Sequence, residues 1–331
     1  MGGRSAISTR AIVLALAAMA SLTAGARAAG TGLVFVSNEK SSTITVMTRD
    51  GEIVDTIAAC GRPRGMHFSA DRSQFYVACG DDDQIAIYDV QTRALVGRIT
   101  GVPDPETFDL HPDGRRLYVS NEEDATLSVY DIQTREFLTA YPTGEEPEGV
   151  LVTRDGRLVF AASEAANLVH VVDVEKDEVI ADIVTDTRPR RFAITPDEKE
   201  LWVSAELAGR VNIIDVPTLT VKESVDFLPP GFRREQVTPV DIVITADGRR
   251  AYVALGRANH VAVVDVPSRK VEKYILVGAR AWGLALTADE KRLFVANGLS
   301  DDVSIVDTES LTVLKSVPAG QVPYGFLIDD R

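Results

Sequence analysis

Short runs of alternating hydrophobic and polar residues recur along this chain at a fixed interval. Leu117-Tyr-Val-Ser-Asn121 reads as a β-rich run, Glu122-Glu-Asp-Ala125 as a polar loop, and Thr126-Leu-Ser-Val-Tyr130 alternates with the period of two that a strand requires. Asp131 opens a turn, Glu136 to Tyr141 reads as another strand, and Gly144-Glu-Glu-Pro147 as a loop. Gly149 to Thr153 makes a fourth strand, ended by Arg154-Asp-Gly-Arg157. The same unit returns throughout. Pro stands at 63, 105, 147, 189, 239 and 323, and Asp at 89, 131, 173, 215, 265 and 307. The step is 42 residues, widened once to 50 in each series, and Ala281 fills the vacant Pro slot. A strand-rich repeat of about 40–45 residues marks a propeller blade. The pattern predicts an all-β, seven-bladed β-propeller with four-stranded antiparallel blades, formed as one domain by residues 29–331. One such sheet cannot cover both its faces, whereas seven packed radially can. The first run, Leu33 to Ser37, has the second-strand position and the last, Tyr324 to Asp329, the first-strand position. The C-terminal strand is therefore expected to complete the N-terminal blade and remove two exposed edges.

Repetition assigns most of the conspicuous acids to the scaffold. The Asp of Tyr88-Asp89, Tyr130-Asp131 and Ile214-Asp215 ends a strand, where its side chain can bond backbone two residues on. A second series (Asp71, Asp113, Asp155, Asp197, Asp247, Asp289) sits in hairpin turns, often as Asp-Gly. Carboxylates at matching places around a ring lie far apart and make no acid–base pair.

The first 28 residues differ. Arg4 and Arg10 precede the apolar run Ala11 to Leu22, and Ala26-Arg27-Ala28 has the form of a cleavage site, so an export signal and a periplasmic location are expected. The run is short for a membrane span. Losing three arginines takes the net charge from −14 to −17. Such a surface repels nucleic acid and favours solubility or cationic partners; a monomer is expected. Cys60 and Cys79 fall on one face of the same unit, and a disulfide between them is expected, contributing about 3 kcal/mol for its short loop, with two reduced thiols as the alternative.

The units resemble the YVTN-type β-propeller repeat family, on Leu117-Tyr-Val-Ser-Asn121, Leu293-Phe-Val-Ala-Asn297, the strands ending in Asp, the Gly144–Gly149 loop and Pro112-Asp-Gly114. The likeness covers about residues 33–329 and speaks to fold. The signal, the seven units, the long loop Phe227-Leu-Pro-Pro-Gly-Phe-Arg-Arg234 and the two early cysteines resemble the propeller proteins associated with pyrroloquinoline-quinone-dependent catabolism. That resemblance implies an exported accessory protein near quinoprotein alcohol oxidation and brings no catalytic residues.

Departures from the repeat are the places to look for function. The residue after each Pro slot begins the innermost strand and should rim the channel: Arg64, Glu106, Glu148, Arg190, Val240, Trp282 and Tyr324. Their mixed chemistry is what a ligand site on a symmetric scaffold needs; a variable solvated rim is the plainer reading. The same face gathers Asp81 to Asp83, Glu122 to Asp124, Asp104, Glu145, Glu146, Glu164 and Glu206. It could steer a cationic c-type cytochrome or a quinoprotein dehydrogenase, or take Ca²⁺, although the acidic triplet lacks calcium-loop spacing and a solvated face is favoured. The eight extra residues between Ser224 and Thr238 bring Arg233 and Arg234 and are read as a cover for the mouth, or as a surface bulge. His67, His111, His170 and His260 occupy four unrelated slots, which argues against zinc or haem. No metal, cofactor or catalytic residue is expected. The leading reading is a non-enzymatic exported binding protein. A lactonase-like hydrolase using Glu106, Glu148 and Arg190 is the alternative, since seven-bladed propellers of related appearance hydrolyse sugar lactones. A cell-surface interaction module is a third.

Overall fold

The computed structural model describes residues 1–2 and 30–330; the expected export signal lies outside them but for its first two residues. Seven four-stranded antiparallel sheets make the blades, as the repeat predicts. In each, strands a to d run from the axis outward. Blade 2 shows the order: Pro63–Phe68, Gln74–Cys79, Gln84–Asp89 and Leu95–Thr100. The second and third strands of a blade are covered by sheets on both sides, so Arg116–Asn121 and Thr126–Asp131 in blade 3 are buried almost throughout. The outer strand Phe137–Pro142 is mostly exposed, with Tyr141 its one buried residue. The core is accordingly divided into seven apolar layers, one at each seam between neighbouring blades.

The ring closes as expected. Leu33–Asn38 pairs with Pro323–Asp329, Leu33 opposite Asp329 and Asn38 opposite Pro323. Asp329 fastens the joint: one carboxylate oxygen accepts from the Thr31 backbone N–H and hydroxyl at 2.7 and 2.9 Å, and the other from Arg72 at 3.2 Å. The recurring Asp residues cap turns. Asp131 Oδ1 accepts the N–H groups of Gln133 and Thr134, each at 2.8 Å, and Asp307 Oδ1 that of Ser310 at 2.7 Å. Those bonds lower the pKa of Asp131 and Asp307, which marks them as turn fasteners.

The cysteines are joined, Cys60 to Cys79. The long loop departs from its expected place. Phe227 and Val237 sink into the seam between blades 5 and 6, Phe232 packs edge-on against His260 at 5.4 Å, and the Leu228 N–H donates to the Tyr274 hydroxyl. It fills that seam and contributes nothing to the channel mouth. No helix among the described residues is long and apolar enough to cross a membrane.

Candidate functional site

The innermost strand of each blade carries the site because its start is irregular. Pro105 pairs with Asn121, but the next regular pair is Phe108 with Val119, so two residues bulge out of the ladder. The same break follows Pro63, Pro147, Pro189 and Ala281. The bulge turns the residue after Pro onto the axis. Glycine two places after Pro lets the strands approach there: a Cβ on Gly149 would lie 2.0 Å from the Arg190 carbonyl oxygen. Gly149→Ala must push blades 4 and 5 apart beneath the site. We expect a loss of about 1–3 kcal/mol in denaturant unfolding, with unchanged stability counting against this packing.

The ring expected to rim the channel does so, but it is not a solvated rim. Glu106 is completely buried, and Glu148, Arg190, Val240, Trp282 and Tyr324 are nearly so. Arg64 touches Glu106 and lies 3.8 Å from Glu148. Arg190 reaches Glu148 at 3.2 Å, Glu164 at 2.9 Å and Glu206 at 3.0 Å. Arg191 approaches Glu148 at 3.2 Å, and the Tyr324 hydroxyl donates to Glu148 at 2.7 Å. The guanidinium groups of Arg190 and Arg280 stand over the Trp282 ring at 4.7 and 4.3 Å, and Arg64 over Tyr324 at 5.1 Å.

Above this ring opens a cavity of about 420 Å³, lined by Arg64, Glu148, Glu164, Arg190, Arg280, Trp282 and Tyr324 among others. Three repeat positions supply most of its lining. Besides the residue after Pro, the residue before it supplies Arg62, Arg188 and Arg280, and the residue after the second strand supplies Glu39, Glu122 and Glu164. Of the residues singled out from sequence, Arg64, Glu148, Arg190, Trp282 and Tyr324 meet here. Glu106 is walled off beneath, held by Arg62 and Arg64. Arg233 and Arg234 are elsewhere, Arg234 pairing with Asp226 at 3.0 Å. Sequence reasoning missed the roles of Glu164, Arg188 and Arg280. Comparing the two further positions across units exposes them, since one varies between basic (Arg62, Arg188, Arg280), acidic (Asp104, Glu146) and uncharged residues and the other is glutamate in blades 1, 3, 4 and 5.

The carboxylates are tuned apart. Burial alone would raise the pKa of Glu148, but Arg190, Arg191 and Arg64, with the Tyr324 hydroxyl, outweigh it and hold Glu148 well below the usual carboxylate range. Glu164 is pushed up to about 8: burial is the main cause, and crowding by Glu148 and Glu206 adds to it against Arg190 and Arg188. Tyr324 is raised by burial and by Glu148, and stays a neutral donor. Arg280 is lowered by burial and by Arg190. It forms no ion pair among the described residues, so its charge is free to meet a ligand. Two carboxyl groups with separated pKa values beside an uncommitted guanidinium can divide the labour of proton transfer and charge stabilisation.

Among the described residues, Asp104, Glu106 and Glu122 form a cluster whose oxygens lie close enough to hold a metal ion. Arg62 touches Asp104, and Arg62 and Arg64 contact Glu106, so two guanidinium groups already occupy two of its three carboxylates and offset most of its charge. The histidines stay apart: His111 bonds the Gly156 carbonyl at 2.9 Å, and His170 bonds Asp182 at 2.6 Å.

A family model described as "Lactonase, 7-bladed beta-propeller" matches residues 63–184 and 180–319. No curated protein sequence matches the chain. Among solved structures, the chain is similar to the Pseudomonas aeruginosa periplasmic gluconolactonase, at 18% identity and a TM-score of 0.77 over 90% of this chain and 99% of that one. It is similar to a putative 6-phosphogluconolactonase from Bacteroides uniformis, at 16% identity and a TM-score of 0.73 over 89% and 98%. It is also similar to Kuenenia stuttgartiensis hydrazine synthase, at 22% identity and a TM-score of 0.70 over 80% and 88%. At these identities the structural likenesses speak to fold alone. The family match overturns the expectation of a non-enzymatic accessory protein and favours the hydrolase alternative.

Proposed function

We propose that this chain, which belongs to the lactonase family of seven-bladed β-propellers, hydrolyses the ester bond of a sugar lactone at the mouth of its central channel. The observation that carries the reading is the convergence of Glu164, Arg190, Arg280 and Trp282 on one cavity of about 420 Å³, a size suited to a small ligand. Ionised Glu164 takes a proton from the attacking water. The carbonyl oxygen gathers negative charge as the tetrahedral intermediate forms, and Arg190 and Arg280 stabilise it. Collapse of the intermediate breaks the ring C–O bond, and the proton on Glu164 passes to the departing ring oxygen. Glu148 is too weak a base for this work; it holds Arg64, Arg190 and Arg191 in place. Glu106 does not reach the cavity.

Arg280 also bears on substrate choice. A guanidinium without an acidic partner favours a lactone bearing a phosphate or carboxylate. Arg280→Met is expected to raise KM about tenfold for a phosphorylated δ-lactone and less than threefold for its neutral counterpart. Equal changes for both would remove Arg280 from that role. The resemblance to propellers of quinone-dependent catabolism fits the same reading. Oxidation of a cyclic sugar hemiacetal yields a lactone, so an exported hydrolase would open the product of such an oxidation. The test is a panel of γ- and δ-sugar lactones, neutral and phosphorylated, scored for acid release above the spontaneous rate. Activity on at least one class supports the assignment, and none on any would reject it.

A further inference from the structure

At the last residue of the second strand, several blades tie down the loop that leads into their own innermost strand. In blade 1 Asn38 Oδ1 accepts the Gly320 N–H at 3.1 Å. In blade 3 Asn121 donates to the Pro103 carbonyl at 2.7 Å, and in blade 4 Ser163 donates to the Gly144 carbonyl at 3.2 Å. Gly144 and Gly320 stand three residues before Pro147 and Pro323. In blade 2 the equivalent positions are Cys79 and Cys60, and the tether is the disulfide. Blade 2 therefore makes covalent a clamp that its neighbours make with one hydrogen bond.

The loop held in this way is the one that sends two guanidinium groups into the cavity. Arg62 touches Asp104 and reaches Glu106 at 3.2 Å; Arg64 touches Glu106 and reaches Glu39 at 3.5 Å. The residue after Cys79 is shaped for them. Blades 1, 3, 4 and 5 carry glutamate there, whereas blade 2 has Gly80, where a Cβ would lie 2.3 Å from the Arg62 guanidinium. Outside stands a competitor. Exposed Asp81 lies 3.3 Å from Arg62, and Asp82 accepts the Gly61 N–H at 2.9 Å. A loop released from its clamp can follow these acids outward and take Arg62 and Arg64 from the wall.

We propose that the Cys60–Cys79 disulfide is a positioning element for the site: it holds Arg62 and Arg64 in the cavity wall, so that the oxidised chain is the competent form. The inference rests on the lactonase reading for its kinetic consequence, but not for its structural one. Reduction by a dithiol yields two thiols and leaves the dithiol as its own disulfide. Cys79 is fully buried, so paired substitutions test the idea more cleanly than reductant.

Cys60→Ser with Cys79→Ser removes the clamp. Cys60→Gly with Cys79→Asn replaces it by the hydrogen-bonded form seen with Gly320 and Asn38. The serine pair is expected to raise KM for the best lactone at least tenfold with kcat within threefold, and the Gly/Asn pair to recover most of that loss. Hydrogen exchange, which needs no activity, should show lost protection confined to residues 61–68 and 80–84 in the serine pair. Exchange that rises evenly over all blades, or KM unchanged in the serine pair, would overturn the proposal and leave the bond a general staple. A wild-type protein inactive on every lactone defeats the hydrolase reading alone, and the exchange result still decides the clamp.

Discussion

Glu164→Gln is expected to lower kcat for lactone opening by about 10²–10⁴, the range over which a positioned proton-transfer group acts, while making the protein more heat-stable at pH 8. The two effects share one cause. A carboxyl group whose folded pKa is raised to about 8 binds its proton more tightly folded than unfolded. Its favourable contribution is fully present below the unfolded value near 4.5. It is lost progressively as pH rises toward 8. Gln holds that neutral form permanently, so the variant's Tm should exceed the wild type's at pH 8 and match it near pH 5. A residue with only a scaffold role would lose stability on substitution. Gain of stability with loss of turnover is the mark of a strained functional group. Thermal melts at the two pH values, read beside kcat, check both halves. Unchanged kcat, or a lower Tm at pH 8, contradicts the role given to Glu164.

Arg190→Met should cost more than any other single change in the ring. Arg190 is buried and faces Glu148, Glu164 and Glu206 at once, with its guanidinium over Trp282. Met keeps much of the volume but none of the charge. Removing one partner from a buried ionic cluster strands the others, at about 3–5 kcal/mol. The stranded carboxyls would then have raised folded pKa values, so the deficit should widen as pH rises from 5 to 8 and shrink in acid. Lactone opening should fall below detection, because the oxyanion loses its donor and Glu164 its neighbour. Denaturant unfolding of wild type and variant across that pH range gives the answer. A deficit under 1 kcal/mol at every pH would mean the cluster is looser than its distances imply.

The architecture was legible because strand alternation and the 42-residue step are local and repeated. The blade count, the order of strands, the turn-capping Asp residues and the closure of Leu33–Asn38 on Pro323–Asp329 all follow from them. The site was legible in part. The position after Pro placed Arg64, Glu148, Arg190, Trp282 and Tyr324 together, since a bulge shared by the blades turns that position to the axis. What the repeat could not convey was depth. Glu106 and Glu148 share a repeat position and a residue type, yet one is sealed below the cavity and the other lines it. Nor could it convey charge balance. Glu148 is held ionised by three arginines, whereas Glu164, one repeat position away from the ring, competes for two. The long loop with Arg233 and Arg234 misled for a physical reason: Phe227, Phe232 and Val237 drive it into the seam between blades 5 and 6. The preference for a binding protein came from the lack of a linear catalytic motif. A site assembled from single residues of several blades leaves none in the sequence.

Opening of a δ-sugar lactone by the purified wild-type chain, followed by acid release from pH 6 to 9, tests the central claim most directly. The predicted result is a rate well above spontaneous hydrolysis, with kcat/KM rising through a single apparent pKa near that of Glu164, about 8, and levelling above it. A rate equal to that of buffer, or a kcat/KM flat across this range, would contradict it.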